Sequence, residues 1–421
     1  MTGSPDVAPP PSRFRRILTY PLRVGDPSED WPSSRFGRLA LVNMLSSAGD
    51  AMVVVALAGS VFVSVPLHAA RGRTALGLVM TMLPFAVVAP FTGPAADRFR
   101  RGKRLILFLS AVARTAAALM MAAWIHNLAL FPAAFLSLVA SKTHGVVRSA
   151  LAPSAIEDES DLVRANSRLA VGSGVASVVA APVGAAIYAL FGASTLLEVD
   201  AFVFALAGSL CLILIRFSTD RHREDLTPGW RRLPTPGPLR RARLVVASTR
   251  GMTGFLTALV AFGFRGRGVP AIWYGLVAAG GVLGSVTGAV LAARVRRAMP
   301  SERWVVYGSA LLIAATSGAA TAVGWQNGRL AAAVVAASCG LAGSVGKATF
   351  DSMVQVQVAR AAQAQAFARF EASFQAAWVL LALVPTLISV PLTIGFIIMA
   401  ATLTGSVLVA VTGRRGGASA A

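Results

Sequence analysis

From Pro385 to Thr412 the chain carries no charged side chain, and from Leu105 to Ile125 it carries one, Arg114. A run of about 20 mostly apolar residues is what an α-helix needs to cross the hydrocarbon core of a bilayer. In lipid every backbone N–H and C=O must be satisfied inside the segment itself, so such runs fold as helices or not at all. A soluble core could not absorb them. Hydrophobic residues make up 55% of the chain and charged residues 14%, with a mean hydropathy of +0.67. Soluble domains carry about 25% charged residues.

The pattern predicts an all-α polytopic membrane protein with twelve transmembrane helices, at about 38–65, 74–95, 104–126, 129–152, 165–191, 194–217, 244–265, 270–293, 304–324, 328–350, 366–389 and 391–412. The seventh is the least regular. Its cleanly apolar stretch, Gly251 to Phe264, is short, so the helix must extend back through Arg250 or be broken. Residues 1–36, rich in Pro, Ser and Arg and without an apolar core, read as a disordered cytoplasmic tail and not as a signal peptide. Residues 37–217 and 244–412 form two six-helix bundles, joined by a basic, Pro-rich linker over 218–243, with a short cytoplasmic tail over 413–421.

The net charge of +21 would suggest a nucleic-acid partner in a soluble protein. Here the basic residues lie between the apolar runs and alternate in density. Of 39 Lys and Arg, 32 fall on one set of connections, five on the other, and two, Arg114 and Lys142, within spans. This asymmetry places both termini in the cytoplasm by the positive-inside rule and argues against nucleic acid. Cys211 and Cys339 sit inside apolar runs and match neither a metal nor a disulfide spacing. There is no phosphate-binding loop, dinucleotide glycine pattern, zinc-ligand spacing or nucleophile elbow. No catalytic residue, cofactor or metal is predicted.

Two stretches recur half a chain apart. Gly93-Pro-Ala-Ala-Asp97-Arg98-Phe-Arg100-Arg101 follows the second span, and Gly288-Ala-Val-Leu-Ala292-Ala293-Arg294-Val-Arg296-Arg297 follows the eighth. Ala165-Asn-Ser-Arg168 opens the fifth span as Ala366-Phe-Ala-Arg369 opens the eleventh. Paired halves related about the membrane normal are a transporter plan.

Gly93-x-x-x-Asp97-Arg98-x-x-Arg101 resembles the signature between spans two and three of the major facilitator superfamily. Leu151-Ala-Pro153 through Leu169, and Phe350-Asp351 with Gln355 through Phe374-Gln375, look like the corresponding loops of its bacterial efflux-type branch. The resemblance covers about 36–412. In the fifth span Pro182 and Gly184 are remnants of the glycine-rich antiporter signature, most of whose glycines are here alanine or serine. The resemblance implies alternating access, with Asp97 facing the start of the eleventh span as part of a cytoplasmic gate, and spans 1, 4, 7 and 10 around a central cavity. Gly93, Asp97, Arg98, Arg101, Asp351, Arg369 and Glu371 are candidates for that gate, or Asp351, Arg369 and Glu371 are local surface pairs. Lys103 and Arg104 read as topology-fixing charges.

Asp50 lies about 18 Å along the first span, near the midplane. An acid there is costly and by default functional. It is either a proton carrier or a neutralised ion pair with Lys142 or Arg114, which sit at matching depths. His144 is a proton relay or a packing residue. Glu198 and Asp200 read as interfacial acids at the outer start of the sixth span. Gly280, Gly284 and Gly288 recur every fourth residue in the eighth, a packing stripe.

These readings combine into a secondary transporter of the bacterial plasma membrane, monomeric, exporting small amphipathic molecules against protons. The alternatives are an uptake permease or uniporter on the same fold, or a membrane sensor or scaffold that no longer transports.

Overall fold

The computed structural model describes residues 34–57, 102–125, 127, 129–156, 161–216, 237–265, 267–322 and 328–412. The tail over 1–33, the expected second span with Gly93, Asp97, Arg98 and Arg101, most of the linker and the tail over 413–421 lie outside the described residues.

Ten helices in the described residues are long and apolar enough to cross a membrane. They are α1 (Arg35–Leu57), α2 (Gly102–Ala123), α3 (Leu130–Leu151), α4 (Leu162–Arg216), α5 (Gly237–Arg265), α6 (Ala271–Ala298), α7 (Glu302–Ala322), α8 (Gly328–Gln357), α9 (Gln363–Leu387) and α10 (Leu392–Thr412). The 55-residue α4 is two crossings joined at Gly192, whose φ of 88° and ψ of 178° break the helix. A side chain could not adopt that conformation without strain, so glycine makes the corner. The two arms of α4 are the expected fifth and sixth spans, which makes eleven crossings in the described residues. α5 begins at Gly237, seven residues before the expected start, and carries Arg250 inside a continuous helix.

Local chemistry sets the ends and interiors. Ser34 caps α1 by accepting the Gly37 N–H at 2.9 Å. Buried hydroxyls bond back along their own helices, as Thr249 does to the Val245 carbonyl at 3.0 Å and Thr386 to Ala382 at 2.8 Å. Without water at that depth this satisfies the hydroxyl inside the helix itself. Large apolar side chains such as Leu190, Phe191, Phe202 and Leu283 point outward, as a lipid-facing belt requires.

The helices pack in two groups. α1 lies against α4, and α2 against α3 and α4; α5 lies against α9, α8 and α10, α6 against α8, and α7 against α8 and α10. Across the divide, α4 touches α6 and α8, and α3 touches α9.

The glycine stripe of α6 is a helix–helix contact. A Cβ added at Gly280 would meet the Ala333 carbonyl oxygen at 2.8 Å, and one at Gly284 or Gly288 would strike the Ala337 or Leu341 carbonyl of α8. Backbone cannot yield as a side-chain tip can. Gly284→Leu is expected to lower stability by about 3 kcal/mol and to reduce the monodisperse fraction in size-exclusion chromatography. Gly275→Ala, which meets nothing within 4 Å, should leave that fraction unchanged.

Candidate functional site

A cavity of about 450 Å³ opens between the two groups of helices. Its walls come from α1, α3, α4, α5, α6, α8 and α9. Four of these are spans 1, 4, 7 and 10 of the expected twelve. Asp50, Lys142 and His144 all line it, as do Asp351 and Glu371.

One charge cluster sits in the first group. Arg114 of α2 is fully enclosed, and its Nη2 donates to Asp50 Oδ1 at 2.5 Å and to the Ser46 carbonyl at 2.8 Å. Its guanidinium lies over the Phe204 ring, 3.9 Å from the centroid. Asp50 also accepts from Ser141 Oγ at 3.1 Å. The Asp50 side chain is 45% exposed, against 0% for Arg114, so the cavity reaches one partner and not the other. His144 is buried, with Nδ1 3.4 Å from Ser46 Oγ. Of the two cations that sequence offered Asp50, the structure pairs it with Arg114, and Lys142 stands on the cavity wall.

Asp200 corrects its sequence reading. It is not interfacial but wholly buried, and neither carboxyl oxygen has a hydrogen-bond partner among the described residues. It lies against Gly49, where an added Cβ would come within 2.7 Å of Oδ1 and would strike Phe204. With no loop before the sixth span, the turn is at Gly192, and eight further residues carry Asp200 about 12 Å along the helix. Arg114 has donors to spare there: Nε and Nη1 are both without hydrogen-bond partners among the described residues. Asp50, Arg114 and Asp200 therefore form an acid–base–acid cluster in which one acid faces the cavity and the other is sealed. Phe204, one helical turn after Asp200, completes it.

A second cluster closes one end of the cavity. Lys347 of α8 donates to both oxygens of Asp351 at 2.6 and 2.8 Å and pairs with Glu371 of α9 at 2.7 Å. Arg369 does not join it. That side chain is exposed and has no ion pair among the described residues, because two residues along a helix turn it about 200° away from Glu371. Beyond this cluster the two groups are tied by buried amides. Asn166 of α4 donates to Gln355 Oε1 of α8 at 2.9 Å, and Gln355 Nε2 donates to the Ser149 carbonyl of α3 at 2.8 Å. Lys103 Nζ reaches the Arg360 carbonyl at 2.6 Å, so it bridges the halves as well as carrying a topology charge. Asn166 and Gln355 thus join the two groups of helices at one end of the cavity. The remaining gate candidates, Gly93, Asp97, Arg98 and Arg101, lie outside the described residues. Pro182 is exposed on the outer face of α4, and Gly184 is buried, where an added Cβ would meet Met52 and Leu196 at 3.5 Å.

The amide tie sets a balance. Asn166→Leu with Gln355→Leu removes two cross-half contacts, each worth about 0.6–2 kcal/mol in a membrane. The double variant is expected to favour the alternate state about tenfold. Labelling of an engineered cysteine at Ser173 by a membrane-impermeant maleimide from each side would measure it.

Residues 39–382 match the family Major Facilitator Superfamily. An uncharacterised protein of Mycobacterium leprae is 29% identical over 397 residues, 85% of this chain and 67% of its own length. One from Mycobacterium tuberculosis is 39% identical over 139 residues, 30% of this chain and 24% of its own, so the chain spans only part of these relatives. Among solved structures, a bacterial homologue of the iron transporter ferroportin in an outward-facing state has a TM-score of 0.70 at 16% identity, over 89% of this chain and 97% of that one. The human organic anion transporter MFSD10 has a TM-score of 0.69 at 14% identity, covering 89% and 98%. These structural likenesses are of fold. The chain belongs to the Major Facilitator Superfamily: it is a multi-pass membrane transporter of small molecules, and not an enzyme.

Proposed function

We propose that this protein is a proton-coupled secondary transporter working by alternating access, with the Asp50–Arg114–Asp200 cluster as its coupling site. It acts as a monomer in the plasma membrane with both termini cytoplasmic, the orientation that the Lys and Arg asymmetry supports. In that orientation the Asn166–Gln355 tie lies toward the cytoplasmic end of the cavity.

The observation that carries the reading is the sealed carboxyl of Asp200 beside unused donors of Arg114. A charge enclosed in a membrane protein with no direct partner is unfavourable. With Arg114 held by Asp50, a proton on Asp200 removes that cost. When the cavity supplies a proton to Asp50, Arg114 turns its spare N–H groups to Asp200, and Asp200 releases its proton to the water that reaches it once the cluster opens to the other side. The cluster thereby carries one net charge state on each side of the switch, and substrate binding in the cavity selects between them. Export as the direction rests on the resemblance of the 151–169 and 350–375 stretches to efflux-type members. No Phe, Tyr or Trp lies among the described cavity residues, which speaks against an amphipathic cargo.

The test uses membrane vesicles carrying wild type, Asp50→Asn or Asp200→Asn, an imposed pH gradient, and labelled solutes from hydrophilic anions to lipophilic cations. Wild type should accumulate a solute only with the gradient, and an uncoupler should abolish it. Each Asn variant should keep solute exchange but lose at least about 90% of gradient-driven accumulation, the scale of an essential proton site. The sign of the productive gradient reads export or uptake. Accumulation at the wild-type level in both variants would refute the coupling site.

A further inference from the structure

We propose that the cavity takes a small hydrophilic anion: a carboxylate or phosphate on a hydroxylated, non-aromatic body. This rests on the reading of the cavity as the transport site and adds the class of its cargo.

The walls are the first ground. Seven serines and Thr253 face the cavity, together with Asn43, Asn166 and Gln375. The apolar lining is Val146, Leu169 and small residues, with no Phe, Tyr or Trp among the described residues. Sites for drug-sized amphipathic ligands are built mainly of hydrophobic and aromatic surface. An apolar cargo here would cover hydroxyls and amides without replacing their water, which is unfavourable. A cargo with hydroxyls of its own would satisfy them. A volume of about 450 Å³ suits a small molecule.

The charge balance is the second. Asp50 is balanced by Arg114 behind it. Lys347 stands between Asp351 and Glu371 and leaves that trio with one negative charge. Lys142, Arg148 and Arg250 supply three positive charges to the same cavity. Among the described lining residues four cations, Lys142, Arg148, Arg250 and Lys347, face three acids, Asp50, Asp351 and Glu371, so the lining is net positive by one. A cavity of one sign between low-dielectric walls concentrates the opposite ion. Arg148 donates from Nη1 to Asn43 Oδ1 at 3.2 Å and from Nη2 to Ser149 Oγ at 3.4 Å, neutral partners that leave its charge uncompensated, and its Nε has no hydrogen-bond partner among the described residues.

The positions are the third. Lys142 and Arg148 belong to α3 and Arg250 to α5, in different groups of helices. One anion held between α3 and α5 would touch both halves at once and so sense their separation.

The experiment is binding to the purified full chain in detergent, read as the shift of the thermal unfolding midpoint. The probes are D-gluconate, 3-phosphoglycerate, D-glucose and tetraphenylphosphonium. At least one of the two anions should stabilise saturably, glucose more weakly or not at all, and tetraphenylphosphonium not at all. Arg250→Gln and Lys142→Gln should each weaken anion binding about tenfold, the loss of one charged contact. Arg369→Gln, outside the cavity, should leave it unchanged. Stabilisation by tetraphenylphosphonium alone, by neither anion, or by anions equally in the cavity variants overturns the proposal. Binding needs no gradient, so anion binding without proton movement would sink the coupling site and leave this cargo class standing. Gradient-driven movement of the lipophilic cation would do the reverse.

Discussion

Arg114→Met is expected to destabilise the protein by about 3–5 kcal/mol, the range for removing one member of a buried ion pair. The loss has several sources. Asp50 and the Ser46 carbonyl lose their donor, the Phe204 face loses its cation, and Asp200 loses its nearest positive charge. Asp50 can still be hydrated through the cavity, so the cost falls mainly on the enclosed groups. The informative comparison is the triple variant Arg114→Met, Asp50→Asn, Asp200→Asn. It removes the ion pair and the sealed acid together and should recover most of the loss, because a well-packed neutral replacement is often no worse than the ion pair. Unfolding midpoints in detergent give both values. If the triple variant were as unstable as the single one, Arg114 would matter through packing and not through charge. Recovery of stability without recovery of gradient-driven transport would assign the cluster to function.

Lys347→Met is expected to have an effect of similar size, about 3 kcal/mol or more. It strands two carboxylates that share one cation, Asp351 on the same helix and Glu371 on α9. Like charges left together at the closed end of the cavity would also force α8 and α9 apart. Adding Asp351→Asn and Glu371→Gln should restore the unfolding midpoint. If it did not, the trio would be a packing feature only. The restored protein should still bind a probe anion, and more tightly than wild type, since the two acids have gone and the cations on α3 and α5 remain.

Much of the architecture is legible in the sequence because lipid permits few solutions. The apolar runs mark each described crossing, with ends as much as seven residues further out at the start of α5 and the end of α8, and Gly192 falls in the gap expected between the fifth and sixth spans. The stripe at Gly280, Gly284 and Gly288 is readable as packing because its spacing puts all three on one face. The site is only partly legible. Depth marks Asp50, Arg114 and Lys142, but depth alone does not say which cation faces which acid; that depends on helix rotation, set by contacts such as Gly49 against Phe204. Asp200 is misread because its distance from the membrane surface depends on where the chain turns, and here one glycine replaces a loop. The signal available was an acid four residues before an aromatic on an otherwise apolar helix. Lys103 is misread because a charge near a helix end satisfies the topology rule whether or not it reaches across to Arg360. Arg369 stands apart from Glu371 because sequence proximity is not facial proximity.

The corner at Gly192 has a mechanical meaning. A loop between two crossings lets each tilt independently, whereas a single residue joins them as a bent rod. The arm before the corner holds Asn166 at the closed end of the cavity, and the arm after it holds Asp200 beside Arg114. A tilt that pulls Asn166 away from Gln355 must therefore displace Asp200 in the same stroke. The lock at one membrane face and the sealed acid near the midplane are two points on one lever, with glycine as its elbow.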